Sequence, residues 1–89
     1  MTLFRLGRIM GHIGNPPPEA EPWSILRNMG IDVELAKRAV HKLYFEFVPV
    51  KKNGKVVDTY EVYHDVFFIP NDSKHGSLFA MKYGTKSDG

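Results

Sequence analysis

The sequence predicts one small α+β domain with a strand, two short helices, a long β-hairpin and a final strand in one antiparallel sheet. Three observations favour this class. The chain has 89 residues, which is enough for one modest hydrophobic core. Apolar residues recur at helical spacing over residues 22–43 and at strand spacing after residue 44. Asn53-Gly54 lies between two strand-like runs and is the strongest hairpin signal in the chain.

Residues 2–9 predict a strand that is followed by a loop. Helical spacing can also be drawn through residues 3–13, but Gly7, Gly11 and the adjoining Gly14 would each cost a helix about 1 kcal/mol relative to alanine. The run Pro16-Pro17-Pro18 then keeps the chain extended, because proline fixes one backbone dihedral and has no amide hydrogen to donate. We therefore expect a strand and then a turning loop that ends near Pro22.

Two short helices are predicted after the loop. Pro22 suits the first turn of a helix over residues 22–29, and Gly30 suits its end because glycine adopts the left-handed conformation easily. We expect Asp32 to cap a second helix that runs to about Leu43. The side of this helix opposite its apolar face is basic and is formed by Lys37, Arg38, His41 and Lys42.

The second half of the chain predicts strands. Residues 44–52 alternate as a strand does, and the Asn53-Gly54 turn leads into a return strand over about residues 56–69. Residues 77–83 predict a last short strand, and residues 84–89 form a polar tail. The predicted sheet is therefore antiparallel and is completed near the end of the chain.

Composition excludes several function classes. The chain has no cysteine, so it has no disulfide, thiolate metal site or cysteine nucleophile. It has neither the roughly 18–20 apolar residues of a membrane span nor the apolar start of a secretory signal, so we expect an intracellular protein that does not bind membranes. No metal-ligand spacing or catalytic motif surrounds the four histidines, which are His12, His41, His64 and His75. We expect a non-catalytic protein that binds no metal and no cofactor.

The uneven charge along the chain indicates a side that faces phosphates. Residues 1–56 carry nine Lys and Arg against five acids, whereas residues 57–89 carry three against five. An ordinary solvated surface is the alternative explanation. The predicted nucleic-acid-binding residues are those of the basic helix together with Arg5, Arg8, His12, Arg27, Lys51, Lys52 and Lys55.

Two hypotheses without RNA remain open. Residues 25–43 have the spacing of apolar residues that is typical of a helix-turn-helix, with Gly30 in the turn and the hairpin at Asn53-Gly54 as a wing. Such a regulator would bind duplex DNA, but it needs a helix upstream, where residues 2–9 predict a strand. The other hypothesis is a small adaptor or inhibitor that binds one protein partner through its edge strands.

Four segments occur in the order strand, loop, helix end, and second helix with a closing strand. They are Leu3-Phe4-Arg5-Leu6, Ile13-Gly14-Asn15-Pro16, Ile25-Leu26-Arg27-Asn28-Met29-Gly30-Ile31, and Ala39-Val40-His41-Lys42-Leu43 leading into Tyr44-Phe45-Glu46-Phe47. Residues 2–50 thereby resemble the family of the thirtieth protein of the large ribosomal subunit, particularly its mitochondrial forms. The resemblance implies one domain, with a core over residues 2–50, an extension over residues 51–83 and the polar tail.

The resemblance also implies a function and a location. It suggests a structural RNA-binding subunit of a ribonucleoprotein, located in mitochondria, with Arg5, Arg8, His12 and Arg27 against ribosomal RNA. The aromatic second half would then contact neighbouring proteins, because aromatic residues are enriched in interfaces. The candidate interface residues are Tyr60, Tyr63, Phe67 and Phe68, for which a place in the core is the alternative.

Overall fold

The computed structural model describes residues 2–12, 18–49, 51–52, 55–56 and 61–86, and it confirms the α+β class. In chain order its elements are β1 (Phe4–His12), a short 3-10 helix (Pro18–Ala20), α1 (Pro22–Asn28), α2 (Val33–Ala39), β2 (Val40–Val48), β3 (Lys51–Lys52), β4 (Lys55–Val56), β5 (Glu61–Pro70), α3 (Lys74–Tyr83) and β6 (Thr85–Lys86). The predicted first strand and first helix are both present.

Four strands form one antiparallel sheet in the order β2-β5-β1-β6. With helices between β1 and β2 and between β5 and β6, this is the topology of a split β-α-β unit. The strand β5 lies between β1 and β2, so residues after position 50 supply the middle of the sheet. The short β6 pairs with Phe4 and Arg5 of β1.

The helices pack on one face of this sheet, and the hydrophobic core lies between the two layers. Phe68 of β5 is fully buried there, beside Phe4 of β1 and Phe79 of α3. Its ring stacks on Phe4 with 5.5 Å between centroids and meets Phe79 edge-on at 5.0 Å. Leu26 of α1 is also fully buried in this cluster. Because side chains alternate along a strand, Arg5 and Phe67, the strand neighbours of Phe4 and Phe68, point to the other face of the sheet.

The predicted boundary between the first two helices is confirmed. Gly30 follows α1 with a φ of 83°, a left-handed conformation that glycine adopts at little steric cost. The carboxylate of Asp32 then accepts a hydrogen bond of 3.2 Å from the Leu35 amide and caps α2. The phenol oxygen of Tyr83 accepts a hydrogen bond from the Asp32 amide at 3.1 Å, which ties α3 to this helix start.

The prediction that the second helix runs to about Leu43 is wrong, because α2 ends at Ala39. The chain becomes extended at Val40, and Asn71 satisfies the carbonyl groups that a longer helix would use. Its backbone amide donates to the Ala39 carbonyl at 2.8 Å, and its side-chain amide donates to the Arg38 carbonyl at 2.7 Å. A contact distant in sequence therefore fixes the end of this helix.

The prediction of a strand over residues 77–83 is also wrong, because this segment belongs to α3. Ser73 caps the helix by accepting a hydrogen bond of 3.3 Å from the Gly76 amide. Phe79 and Tyr83, four residues apart, share one side of the helix, with 4.9 Å between their ring centroids. The final strand is β6, which lies within the predicted polar tail.

The predicted hairpin is confirmed by the strands that flank it. Lys51 pairs with Val56 and Lys52 with Lys55, which leaves two residues between the paired positions. Those two, Asn53-Gly54, lie outside the described residues. The longer strands β2 and β5 are also paired antiparallel, from Val48 opposite Tyr63 to Val40 opposite Pro70.

Candidate nucleic-acid interface

The face of the sheet opposite the helices carries aromatic rings and cations, and no described element covers it. Rows of paired residues cross β2, β5 and β1 on this side, which we call the open face. One row joins Tyr44, Phe67 and Arg5. The other open-face residues in the register are Lys42, Glu46, Val48, Tyr63, Asp65, Ile69, Arg8 and Met10.

A β-bulge places Arg5 and Arg8 on the same face. Residues three apart in a regular strand point to opposite faces, because side chains alternate with a period of two. In β1 the register shifts between Arg5, opposite Phe67, and Gly7, opposite Val66. The extra residue restores the arginines to one side, where Arg8 lies opposite Asp65. Strand spacing alone could not have predicted this pair.

Asp65 binds both arginines. Arg8 donates from Nε to Oδ1 at 2.8 Å and from Nη2 to Oδ2 at 3.2 Å, a two-bond geometry that fixes the guanidinium plane. Arg5 donates from Nη2 to Oδ1 at 3.2 Å. The hydrogen bonds from Arg8 hold the pKa of Asp65 below its ordinary value, and Asp65 in turn raises the pKa of Arg8. Two cations against one carboxylate leave this cluster with a net positive charge.

The guanidinium groups remain open to solvent although they are paired. The side chains of Arg5 and Arg8 are 43% and 48% exposed, whereas that of Asp65 is 16% exposed. The carboxylate therefore lies beneath the two guanidiniums and orients them. Their outer surfaces are free to stack on or donate to a ligand in solution.

Cations also lie over the rings of the open face. The guanidinium carbon of Arg8 is 6.0 Å from the centroid of the Tyr63 ring. The ammonium nitrogen of Lys42 is 5.1 Å from the centroid of Tyr44. Rings and cations thus lie beside one another on this face, and a flat ligand with negative substituents can contact both types of group.

Only some of the predicted nucleic-acid contacts come together here. Arg5, Arg8 and Lys42 lie on the open face. Lys37 and Arg38 are exposed on α2, on the helical side of the sheet. The basic helical face that was predicted is therefore wrong as a unit, because His41 and Lys42 belong to β2.

The other predicted cations are dispersed. Arg27 is exposed in the last turn of α1, also on the helical side. His12 ends β1, and Lys51, Lys52 and Lys55 belong to the small β3–β4 pair. The side chains of these last four residues lie outside the described part of the structure. Their predicted contacts stay predictions.

The predicted protein-interface residues divide in the same way. Tyr63 and Phe67 are partly exposed on the open face. Phe68 is fully buried in the core, so its predicted interface role is wrong. Tyr60 lies outside the described residues.

Sequence reasoning missed Tyr44 and Asp65 as parts of one surface. Tyr44 is 38% exposed and lies two residues from the charged Glu46, so strand spacing could have placed both on a solvent face. Asp65 gave no such signal, because its two partners lie 57 and 60 residues away in the chain.

Comparison of the chain with models of known protein families, with curated proteins and with solved structures found no match. In the described part of the chain, no helix is long and apolar enough to cross a membrane. The same residues include no group of three or more His, Asp or Glu that could hold a metal ion. Evidence about function therefore comes from the open face itself.

Proposed function

We propose that this protein is a non-catalytic RNA-binding subunit of a ribonucleoprotein and that its open face binds single-stranded RNA. One observation carries the proposal: Tyr63 and Phe67 on β5 lie among Arg5, Arg8 and Lys42 on a face that no described element covers. Unpaired bases stack on aromatic and guanidinium planes, and cations between them bind the phosphates. The sequence resemblance adds ribosomal RNA as the target and the mitochondrion as the location.

The spacing of the rings suits a short stretch of unstacked nucleotides. Tyr44 and Phe67 are cross-strand neighbours, and adjacent strands lie about 4.8 Å apart. Tyr63 is four residues from Phe67 on the same strand, or about 13 Å at 3.3 Å per residue. A face of this size accommodates two or three bases, the number that aromatic sheet faces stack in other RNA-binding modules.

The charge of the face predicts moderate binding that depends on salt. Three cations at Arg5, Arg8 and Lys42 would neutralise up to three phosphates. For single strands, the slope of log affinity against log salt would then be about −2. Glu46 lies opposite Asp65 on the edge strand β2, so the RNA phosphates would follow Lys42, Arg5 and Arg8 and avoid the end of β2 that carries Glu46.

Two observations favour this proposal over the winged-helix hypothesis. Residues 4–12 form β1, whereas a winged helix needs a helix there to close its core. The candidate recognition helix, α2, has only seven residues and ends before His41 and Lys42. A major-groove contact would have to be made by Lys37 and Arg38 alone.

Fluorescence anisotropy with a labelled single-stranded RNA of mixed sequence tests the proposal. Replacing Tyr63 and Phe67 together by leucine should weaken binding about tenfold or more, because base stacking contributes about 1–3 kcal/mol per ring. The matched control is Phe47→Leu, which removes a 56% exposed ring on the other side of the sheet, beside His64. This control should bind as the wild type does.

A charge variant distinguishes the two basic surfaces. Lys37→Glu combined with Arg38→Glu reverses two cations on the helical side and should change the affinity for single-stranded RNA much less than Arg5→Glu. Absence of RNA binding by the wild type, or equal losses in the Phe47→Leu control, would contradict the proposal. A protein-only partner would then be the better hypothesis.

A further inference from the structure

The strand β2 forms one edge of the sheet. It pairs with β5 on one side, and no described strand lies on its other side. The strand runs from Val40 to Val48, and Pro49 follows it rather than interrupting it. An edge of this length presents a row of backbone groups that can pair with another strand.

The side chains of β2 complement a second copy of the same strand. Tyr44 is the midpoint of Val40–Val48, with Lys42 two residues before it and Glu46 two residues after it. In antiparallel pairing about a two-fold axis at Tyr44, Lys42 of each copy lies directly opposite Glu46 of the other. Opposite charges therefore face each other twice.

Only this register pairs the charges. Moving the axis by one residue, to Leu43 or to Phe45, places both Lys42 and Glu46 opposite uncharged residues. The Tyr44 register also places the regular part of β2 at the centre of the pair, with the irregularity between Val40 and Lys42 at its two ends. The pairing of opposite charges and the position of the regular part of β2 therefore favour the same register.

Both charged side chains are available for this contact. The side chain of Glu46 is exposed and makes no hydrogen bond or ion pair with the side chain of any described residue. Lys42 is exposed as well, and its ammonium group lies over its own Tyr44 ring, next to the axis. Neither side chain would have to leave a charged partner among the described residues.

We propose that the protein forms a symmetric dimer by antiparallel pairing of two β2 strands about Tyr44. The two four-stranded sheets become one eight-stranded sheet. Residues directly opposite each other in a sheet lie on the same face, so the two open faces join into one continuous surface. The dimer does not depend on RNA binding.

Charge exchange tests both the dimer and its register. Sedimentation equilibrium of the full chain at millimolar concentration should give twice the monomer mass of 10.2 kDa. Lys42→Glu and Glu46→Lys each place like charges opposite one another, so each should raise the dissociation constant at least tenfold. Mixing the two single variants should restore a dimer, because each position then faces its opposite charge, and the double variant should pair with itself.

The control Lys37→Glu makes the same charge change on α2 and should leave the dimer intact. Circular dichroism of each variant shows that it is folded. A monomeric wild type would overturn the proposal. So would single variants that dimerise like the wild type, which would indicate another surface, or a mixture that stays monomeric, which would indicate another register.

Discussion

Phe67 and Phe68 are neighbours in β5, and truncating each to alanine tests which side of the sheet is core. Phe68 is fully buried on the helical side. Phe67 lies on the open face, opposite Arg5 on one strand and Tyr44 on the other. A slip of the strand by one residue would exchange the two environments.

The expected cost of the two changes differs several-fold. Phe68→Ala removes a ring whose centroid lies 5.5 Å from that of Phe4 and 5.0 Å from that of Phe79. Such core truncations cost about 3–5 kcal/mol. A domain of 89 residues has a free energy of unfolding of about 4–13 kcal/mol. The variant therefore loses a large part of its stability. Phe67→Ala leaves the core intact and should cost about 1 kcal/mol.

Thermal unfolding followed by circular dichroism measures this difference. Each kcal/mol shifts the midpoint by about 4–8 °C in a domain of this size, so Phe68→Ala should lower it by more than about 12 °C. If that variant does not fold, Phe68→Leu, with an expected cost of about 1–2 kcal/mol, keeps the comparison possible. A Phe67→Ala variant that is as unstable as the Phe68→Ala variant would refute the register of β5.

Three further changes test local features. Gly76→Ala should destabilise the protein by about 1–3 kcal/mol although alanine favours helices, because its methyl group would overlap the Asn71 carbonyl oxygen; a urea midpoint at or above that of the wild type would contradict this. Asp65→Asn should destabilise the protein at pH 7, because Arg8 holds the pKa of the Asp65 carboxyl below its ordinary value of about 4. That stabilisation is present above pH 4 and is lost as the pH falls through the folded-state pKa, so the difference from the wild type should shrink by pH 3; a constant difference would argue against the ion pair. Asp32→Ala removes the cap of α2 and should cost about 1 kcal/mol in urea unfolding, whereas Asp32→Asn should cost little.

Features specified by neighbouring residues were predictable from the sequence. The cap at Asp32, the left-handed Gly30 and the two-residue hairpin each depend on a few adjacent positions, and all three predictions agree with the structure. The first strand was predictable because glycines disfavour a helix over residues 4–12.

Features fixed by distant contacts were not predictable. The end of α2 depends on hydrogen bonds from Asn71, which is 33 residues from Arg38 in the chain. Residues 77–83 contain apolar positions that fit either period, and the burial of Phe79 against Phe68 of β5 favours the helix.

The candidate site was predictable only in part. Arg5, Arg8 and Lys42 were among the basic residues predicted from the first half of the chain, and the structure places them on one face of the sheet. Their common location depends on the β1 bulge and on the end of α2, neither of which the sequence pattern indicates. The sequence therefore spread the candidate cations over the first strand, the helices and the hairpin, whereas the proposed binding surface is one face of the sheet.

Titration of the isotopically labelled protein with single-stranded RNA, followed by two-dimensional ¹H–¹⁵N NMR, tests the central claim most directly. Binding at the open face should shift the amide resonances of Arg8, Tyr63 and Phe67 and their strand neighbours, while those of Lys37 and Arg38 on α2 change little. Shifts concentrated on α1 and α2, or a spectrum that excess RNA leaves unchanged, would contradict the claim.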